Sequence, residues 1–137
     1  MNLILDTNII LDVLQKRVPH YLSSQKIWRF CENKNVVGYI STLTFANLIY
    51  VLRKNTTPND IESIYQILAG IFVFADLTEQ HISTATHLHW KDFEDALQYA
   101  TAVEVKADYI ITRNKKDFEG SDIPCLTPSD FCDLFVD

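Results

Sequence analysis

The sequence predicts an α/β fold with a mainly parallel sheet, and three observations predict it. Short runs rich in β-branched and aromatic residues alternate with longer segments of helical spacing, which makes the helices crossover connections between strands. Those runs are apolar throughout, as strands covered on both faces are. Only three glycines and four prolines punctuate the 137 residues, with no repeat or low-complexity stretch, so residues 1–137 read as one domain.

In chain order, Asn2 to Asp6, Val36 to Ile40, Ile71 to Ala75 and Asp108 to Thr112 read as strands, with a weaker fifth around Pro124 to Leu126. Between them, Ile9 to Leu14, Tyr21 to Asn33, Leu43 to Lys54, Pro58 to Ala69, Glu79 to His89 and Phe93 to Lys106 read as helices. Thr57-Pro58-Asn59-Asp60 supplies an N-cap, a proline in the first turn and an acid near the positive end of the helix, and Gly70 reads as its stop. Thr127-Pro128-Ser129-Asp130 repeats the device for a short final helix.

Composition narrows the function classes. The chain is 47% hydrophobic and 22% charged, with 12 Lys+Arg against 18 Asp+Glu and a net charge of −6. A chain of this length buries roughly two-thirds of its unfolded surface, which suffices for one core. No segment approaches the ~18 consecutive apolar residues of a membrane span, and Asp6 interrupts the N-terminus before a signal peptide could form. A cytoplasmic protein is expected. Cys31, Cys125 and Cys132 are odd in number and make no CxxC pair, so buried free thiols are expected rather than disulfides. The negative balance excludes coating nucleic acid by bulk charge, yet a cluster of carboxylates is what a hard metal ion requires.

Ligands of parallel sheets gather outside the carboxyl ends of the strands, so acids at those ends can meet. Asp6 ends the first strand, Asp95 lies in the first turn of the helix before the fourth, and Asn114 and Asp117 follow the fourth. Converged, they would suit Mg2+ or Mn2+. Each also has a structural reading. Asp6 and Asn8 fit an Asx turn or N-cap, Asp92 an N-cap with Asp95 favouring the helix N-terminus, and Asn114 to Asp117 an ordinary charged turn. His81, His87 and His89 lack the i, i+4 spacing that aligns two imidazoles on one helix face, so zinc is not expected. Trp28, Phe30, Phe93 and Tyr99 read as core.

Leu5-Asp6-Thr7-Asn8, Asp95 to Ala102 and Ile111 to Phe118 together resemble, in order and spacing, the signature stretches of the PIN-domain nucleases, and the similarity runs from residue 2 to about residue 131. The short form is similar to the VapC-type toxins of toxin–antitoxin pairs. The resemblance implies a PIN-like three-layer α/β/α fold with about five parallel strands in the order 3-2-1-4-5, and metal-dependent cleavage of RNA. It places Mg2+ (or Mn2+) on Asp6 and Asp95, counts Asn47, Asn114 and Asp117 among the catalytic positions, and gives Asn8 a role in supporting the first acid. One departure stands out. The family usually carries Glu on the helix after the second strand, where this chain has Asn47, a residue without charge or basicity. Asp92 or Glu94 could compensate.

Arg113, Lys115 and Lys116 flank the expected site, with Lys91 ahead of the acidic helix, and are read as RNA contacts or as a solvated surface. The resemblance further implies a homodimer and a small antitoxin partner; Leu48, Ile49 and Val51 could serve the dimer or the core. Two readings follow: a ribonuclease, or a PIN-fold module that binds RNA or protein without cutting because Asn47 replaces the Glu. A receiver-type domain fits less well, since no DxD pair follows the first strand and no Gly-rich phosphate loop occurs.

Overall fold

The chain of the first strand, Asn2–Leu5 (β1), is apolar on both sides, and the computed structural model, which describes residues 1–136, buries it at the centre of the sheet. Val37–Ser41 (β2), Val73–Ala75 (β3), Tyr109–Ile111 (β4) and Cys125–Leu126 (β5) complete it in the order β3-β2-β1-β4-β5, with every neighbouring pair parallel. Parallel neighbours require crossovers, and the helices Thr7–Leu14 (α1), Tyr21–Glu32 (α2), Thr42–Leu52 (α3), Pro58–Ile71 (α4), Glu79–Leu88 (α5) and Phe93–Glu104 (α6) lie along them. Pro128–Phe135 (α7) closes the described chain.

Alternate residues of β1 serve different layers. Leu3 and Leu5 join one cluster with Ile9, Ile10, Ile27, Leu68 and Phe131 from α1, α2, α4 and α7; Ile4 joins a second with Tyr99 and Ala102 of α6. The result is the expected three-layer α/β/α arrangement. Gly38 on β2 lets the strand settle on α2, because a Cβ there would sit 2.5 Å from the Cys31 sulfur and 2.9 Å from the Phe72 ring. Cys31 and Cys132 are buried as expected and Cys125 is half-buried; all three are free thiols, and burial pushes that of Cys31 up to about 12.

Two local expectations are corrected. Gly70 does not stop α4: no glycine has positive φ, and the helix runs on to Ile71, which packs against the main core, so β3 begins at Val73. The left-handed positions after helices are taken instead by Lys16, Lys34, His89 and Lys106, with φ of 49°, 62°, 57° and 55°. Phe93, expected in the core, is exposed on the first turn of α6, at 48%. No described helix is long and apolar enough to cross a membrane.

Candidate active site

The register of β1 with β4 puts Leu5 beside Ile111, and the Asp6 N–H extends the ladder by donating to the Ile111 carbonyl at 3.0 Å. The residues after the two strands, Asp6 and Thr112, therefore meet. The Thr112 hydroxyl donates to Asp6 Oδ2 at 3.0 Å and accepts from the Asn114 N–H at 3.1 Å, which fixes the direction of its proton. The Thr7 N–H donates to Asp6 Oδ1 at 2.8 Å. Asp6 is thus the N-cap of α1 and a cleft residue at once.

The α6 helix supplies the other acids. Asp92 caps it, accepting from the Asp95 N–H at 3.1 Å, and this turn presents Glu94 and Asp95 to the same space. Asn47 and Tyr50 reach it from α3, Thr7, Asn8 and Leu11 from α1, and Asn114 and Asp117 from the loop after β4. That loop winds into a 3-10 turn over Lys115–Phe118, anchored by buried Phe118 edge-on to Trp90 at 5.9 Å. Gly120 permits the arrangement, since a Cβ there would lie 2.7 Å from the Trp90 indole nitrogen. Together these residues line a cavity of about 370 Å³ with Asp6, Asp92, Glu94, Asp95 and Asp117 all on its wall. Beneath it, the Thr44 hydroxyl accepts from Gln98 Nε2 at 2.8 Å and from the Thr7 hydroxyl at 3.3 Å, tying α1, α3 and α6 together.

Crowded acids resist ionisation. Burial pushes the Asp95 carboxyl up to about 7, helped by repulsion from Asp6, Asp92, Asp117 and Glu94. Burial also raises Asp6, against the two hydrogen bonds from Thr112 and Thr7, with Glu94 and Asp92 adding repulsion. The oxygen set suits a hard divalent cation, whose charge would relieve that repulsion. Among the described residues no group of three His, Cys, Asp or Glu side chains is placed to hold a metal ion directly; a hydrated Mg2+ or Mn2+ needs only one or two carboxylates and keeps its waters. The buried Gln98 carbonyl oxygen on the cleft wall, with no partner among the described residues, would be a further acceptor for such waters.

Some anticipated partners are placed differently. Asn8 lines the cavity, but its carbonyl accepts from Arg17 at 3.2 Å, and Asp6 is braced by Thr7 and Thr112 instead. Arg113 turns its guanidinium to fully enclosed Asp12, at 3.2 Å, whose other oxygen accepts from the Ser24 hydroxyl at 3.1 Å. Lys115 pairs with Asp130 of α7 at 2.9 Å. Lys116, with Lys91, lines a second hollow that shares Asp92 and Asp117 with the first. His81 is buried between the Thr78 N–H and Glu104, fastening α5 to α6. Leu48 is core and Val51 exposed.

Sequence reasoning gave Thr112, Gln98 and Asp12 no role. The signal for Thr112 was available, because in a parallel pair the residue after β4 stands beside the residue after β1; Asp12 carried none, being one acid within a short helix.

A sequence profile of the PIN domain matches residues 2–116. The chain is 33% identical to Ribonuclease VapC1 of Aquifex aeolicus (strain VF5), over 93% of this chain and 91% of that protein. Among solved structures, VapBC-1 from nontypeable Haemophilus influenzae aligns with a TM-score of 0.71 at 19% identity, covering 94% of this chain and 99% of that one. A toxin-antitoxin complex from Klebsiella pneumoniae aligns at 0.70 and 22%, covering 91% and 96%. At those identities the structures speak for the fold, and they share it. The profile spans most of the chain and the relative nearly all of it, so this protein belongs to the PIN-domain family.

Proposed function

We propose that the protein is a ribonuclease that hydrolyses RNA phosphodiesters with Mg2+ or Mn2+ held by Asp6 and Asp95, acting as the toxin of a toxin–antitoxin pair. The observation that carries the reading is the convergence of five carboxylates from three separate stretches of chain on one cavity, with Asp95 pushed up to about 7. Asp6 and Asp95 have no paired cation among the described residues, and Arg113, next to Thr112, turns to Asp12 instead. The relative named Ribonuclease VapC1 and the solved toxin–antitoxin complexes support the activity class and an antitoxin partner.

In this reading each residue of the chain has a separable task. Thr7 and Thr112 hold the Asp6 carboxylate by one donor on each oxygen, leaving the remaining lone pairs to the cavity. The Asp92 cap fixes the rotation of the first turn of α6, and with it Asp95. Asp117, shared with the hollow lined by Lys116 and Lys91, borders the cations available to take RNA phosphates on approach. When bound, the divalent ion lowers the pKa of water and offsets charge on the phosphoryl oxygens. A homodimer would bring exposed apolar surface on α3, including Val51, under cover.

The test is cleavage of a labelled single-stranded RNA with Mg2+, Mn2+ or EDTA, beside Asp6→Asn and Asp95→Asn. Metal-dependent cutting lost in both variants is expected. RNA retained but uncut by the wild type under every metal would favour the second reading, a binding module, for which Asn47 is the specific observation.

A further inference from the structure

Across the cleft from Asp6, the α3 wall offers an amide rather than a carboxylate at Asn47, and that amide is not idle. Asn47 Nδ2 donates to Glu94 Oε1, a contact that joins α3 to the first turn of α6. Both residues line the same cavity as Asp6, Asp95 and Asp117. Glu94 stands next to Asp95 on a turn already directed by the Asp92 cap, so its carboxylate would otherwise swing freely in solvent on three rotatable bonds. A neutral donor at position 47 removes that freedom without neutralising the charge, which a lysine or arginine would do.

We propose that Glu94 is a working acidic residue of the reaction centre beside Asp6 and Asp95, and that Asn47 is the residue that positions it. The α6 helix supplies from one side the negative charge that α3 lacks, and the amide aims it into the cleft; the inference rests on the ribonuclease reading above. Its role toward the divalent ion would be to add charge at the α3 wall through the ion's waters, leaving direct contact to Asp6 and Asp95. Under this arrangement the neutral residue at position 47 is part of a working site rather than a sign of a lost one.

The position of the charge, not merely its presence, is what a swap tests. The proteins are wild type, Glu94→Gln, Asn47→Ala and the double variant Asn47→Glu with Glu94→Gln, which moves the carboxylate to the α3 end of the same contact. Mn2+ binding is read by calorimetry and RNA cleavage in parallel. Glu94→Gln is expected to bind Mn2+ about tenfold more weakly, roughly 1.4 kcal/mol, and to cut correspondingly slower. The double variant is expected to recover to within about threefold of wild type, and Asn47→Ala to lie between. Glu94 is exposed, so its substitution leaves folding intact, and a thermal melt checks this. Wild-type Mn2+ affinity in Glu94→Gln, or a double variant as weak as the single, overturns the proposal. Failure of the ribonuclease reading looks different: wild type takes up Mn2+, the swap still moves its affinity, and no RNA is cut.

Discussion

Two aspartates at opposite ends of α1 have opposite fates. Asp12, fully enclosed, is given a guanidinium from Arg113 and a hydroxyl from Ser24. Asp6, at the other end, is given a hydroxyl and a backbone N–H but no cation, and its neighbours across the cleft are acids. Both receive help from the segment just after β4, where Thr112 turns to one and Arg113 to the other. The protein supplies a countercharge to Asp12 and, among the described residues, none to Asp6. At Asp12 the guanidinium offsets part of the cost of burying the charge; at the cleft the acids are left to repel one another, a repulsion a cation would relieve.

The contrast breaks most sharply at Asp6. Asp6→Asn should lower metal-dependent cleavage about 1000-fold or more, ~4 kcal/mol of transition-state stabilisation, while its melting temperature in EDTA equals or slightly exceeds that of wild type. A variant that melts well below wild type in EDTA would show that the Asp6 charge is structural. At Asp12 the opposite pattern is expected. Arg113→Ala leaves a buried carboxylate alone and should cost about 3 kcal/mol in urea unfolding, and pairing it with Asp12→Leu should recover much of that loss.

Protonation sharpens the comparison with a smaller effect. Asp95 binds its proton more tightly folded than unfolded, so between its ordinary value of 3.8 and about 7 the native state holds more protons than the unfolded chain. Stability of the metal-free protein must then fall as pH rises through that window and level off above it. The half-exposed position keeps the change to no more than about 3 °C in melting temperature, and Asp95→Asn should flatten it. Mn2+ added above pH 7 should restore what deprotonation removed.

The smallest effect belongs to the rim. Replacing Lys91 and Lys116 with Ala together should weaken RNA binding by about threefold at moderate salt and lower the salt slope by ~1.4, about 0.7 for each single-strand phosphate that is no longer neutralised. Arg113→Lys, by comparison, should leave the slope unchanged, because that side chain faces Asp12.

Most of the architecture was legible because it rests on local chemistry. The apolar runs around β1 and β4, and the Thr57 and Thr127 caps, both of which close full capping boxes, needed no knowledge of the rest of the chain. Asp6, Asp95, Asn114 and Asp117 were also readable, since strand ends in a parallel sheet share one edge. What escaped depends on which side chain turns where. Asn8 and Arg113 carry suitable groups in suitable places, yet Arg17 and Asp12 claim them first. Gly70 failed as a stop because Ile71 gains more by packing against the core than the chain gains by turning. Phe93 escaped because a helix start exposes residues that helical spacing alone would bury.

The sheet order carries a consequence for timing. β1 precedes its partner on the cleft side, β4, by more than a hundred residues, and Thr112 and Asn114 come later still. Closing that long-range pair is slow compared with forming any one helix. A growing chain therefore carries Asp6 for more than a hundred residues before Thr112, which braces it, is made. The cleft is assembled only once residues 109–117 have docked beside residues 2–6, so it is among the last features of the fold to form.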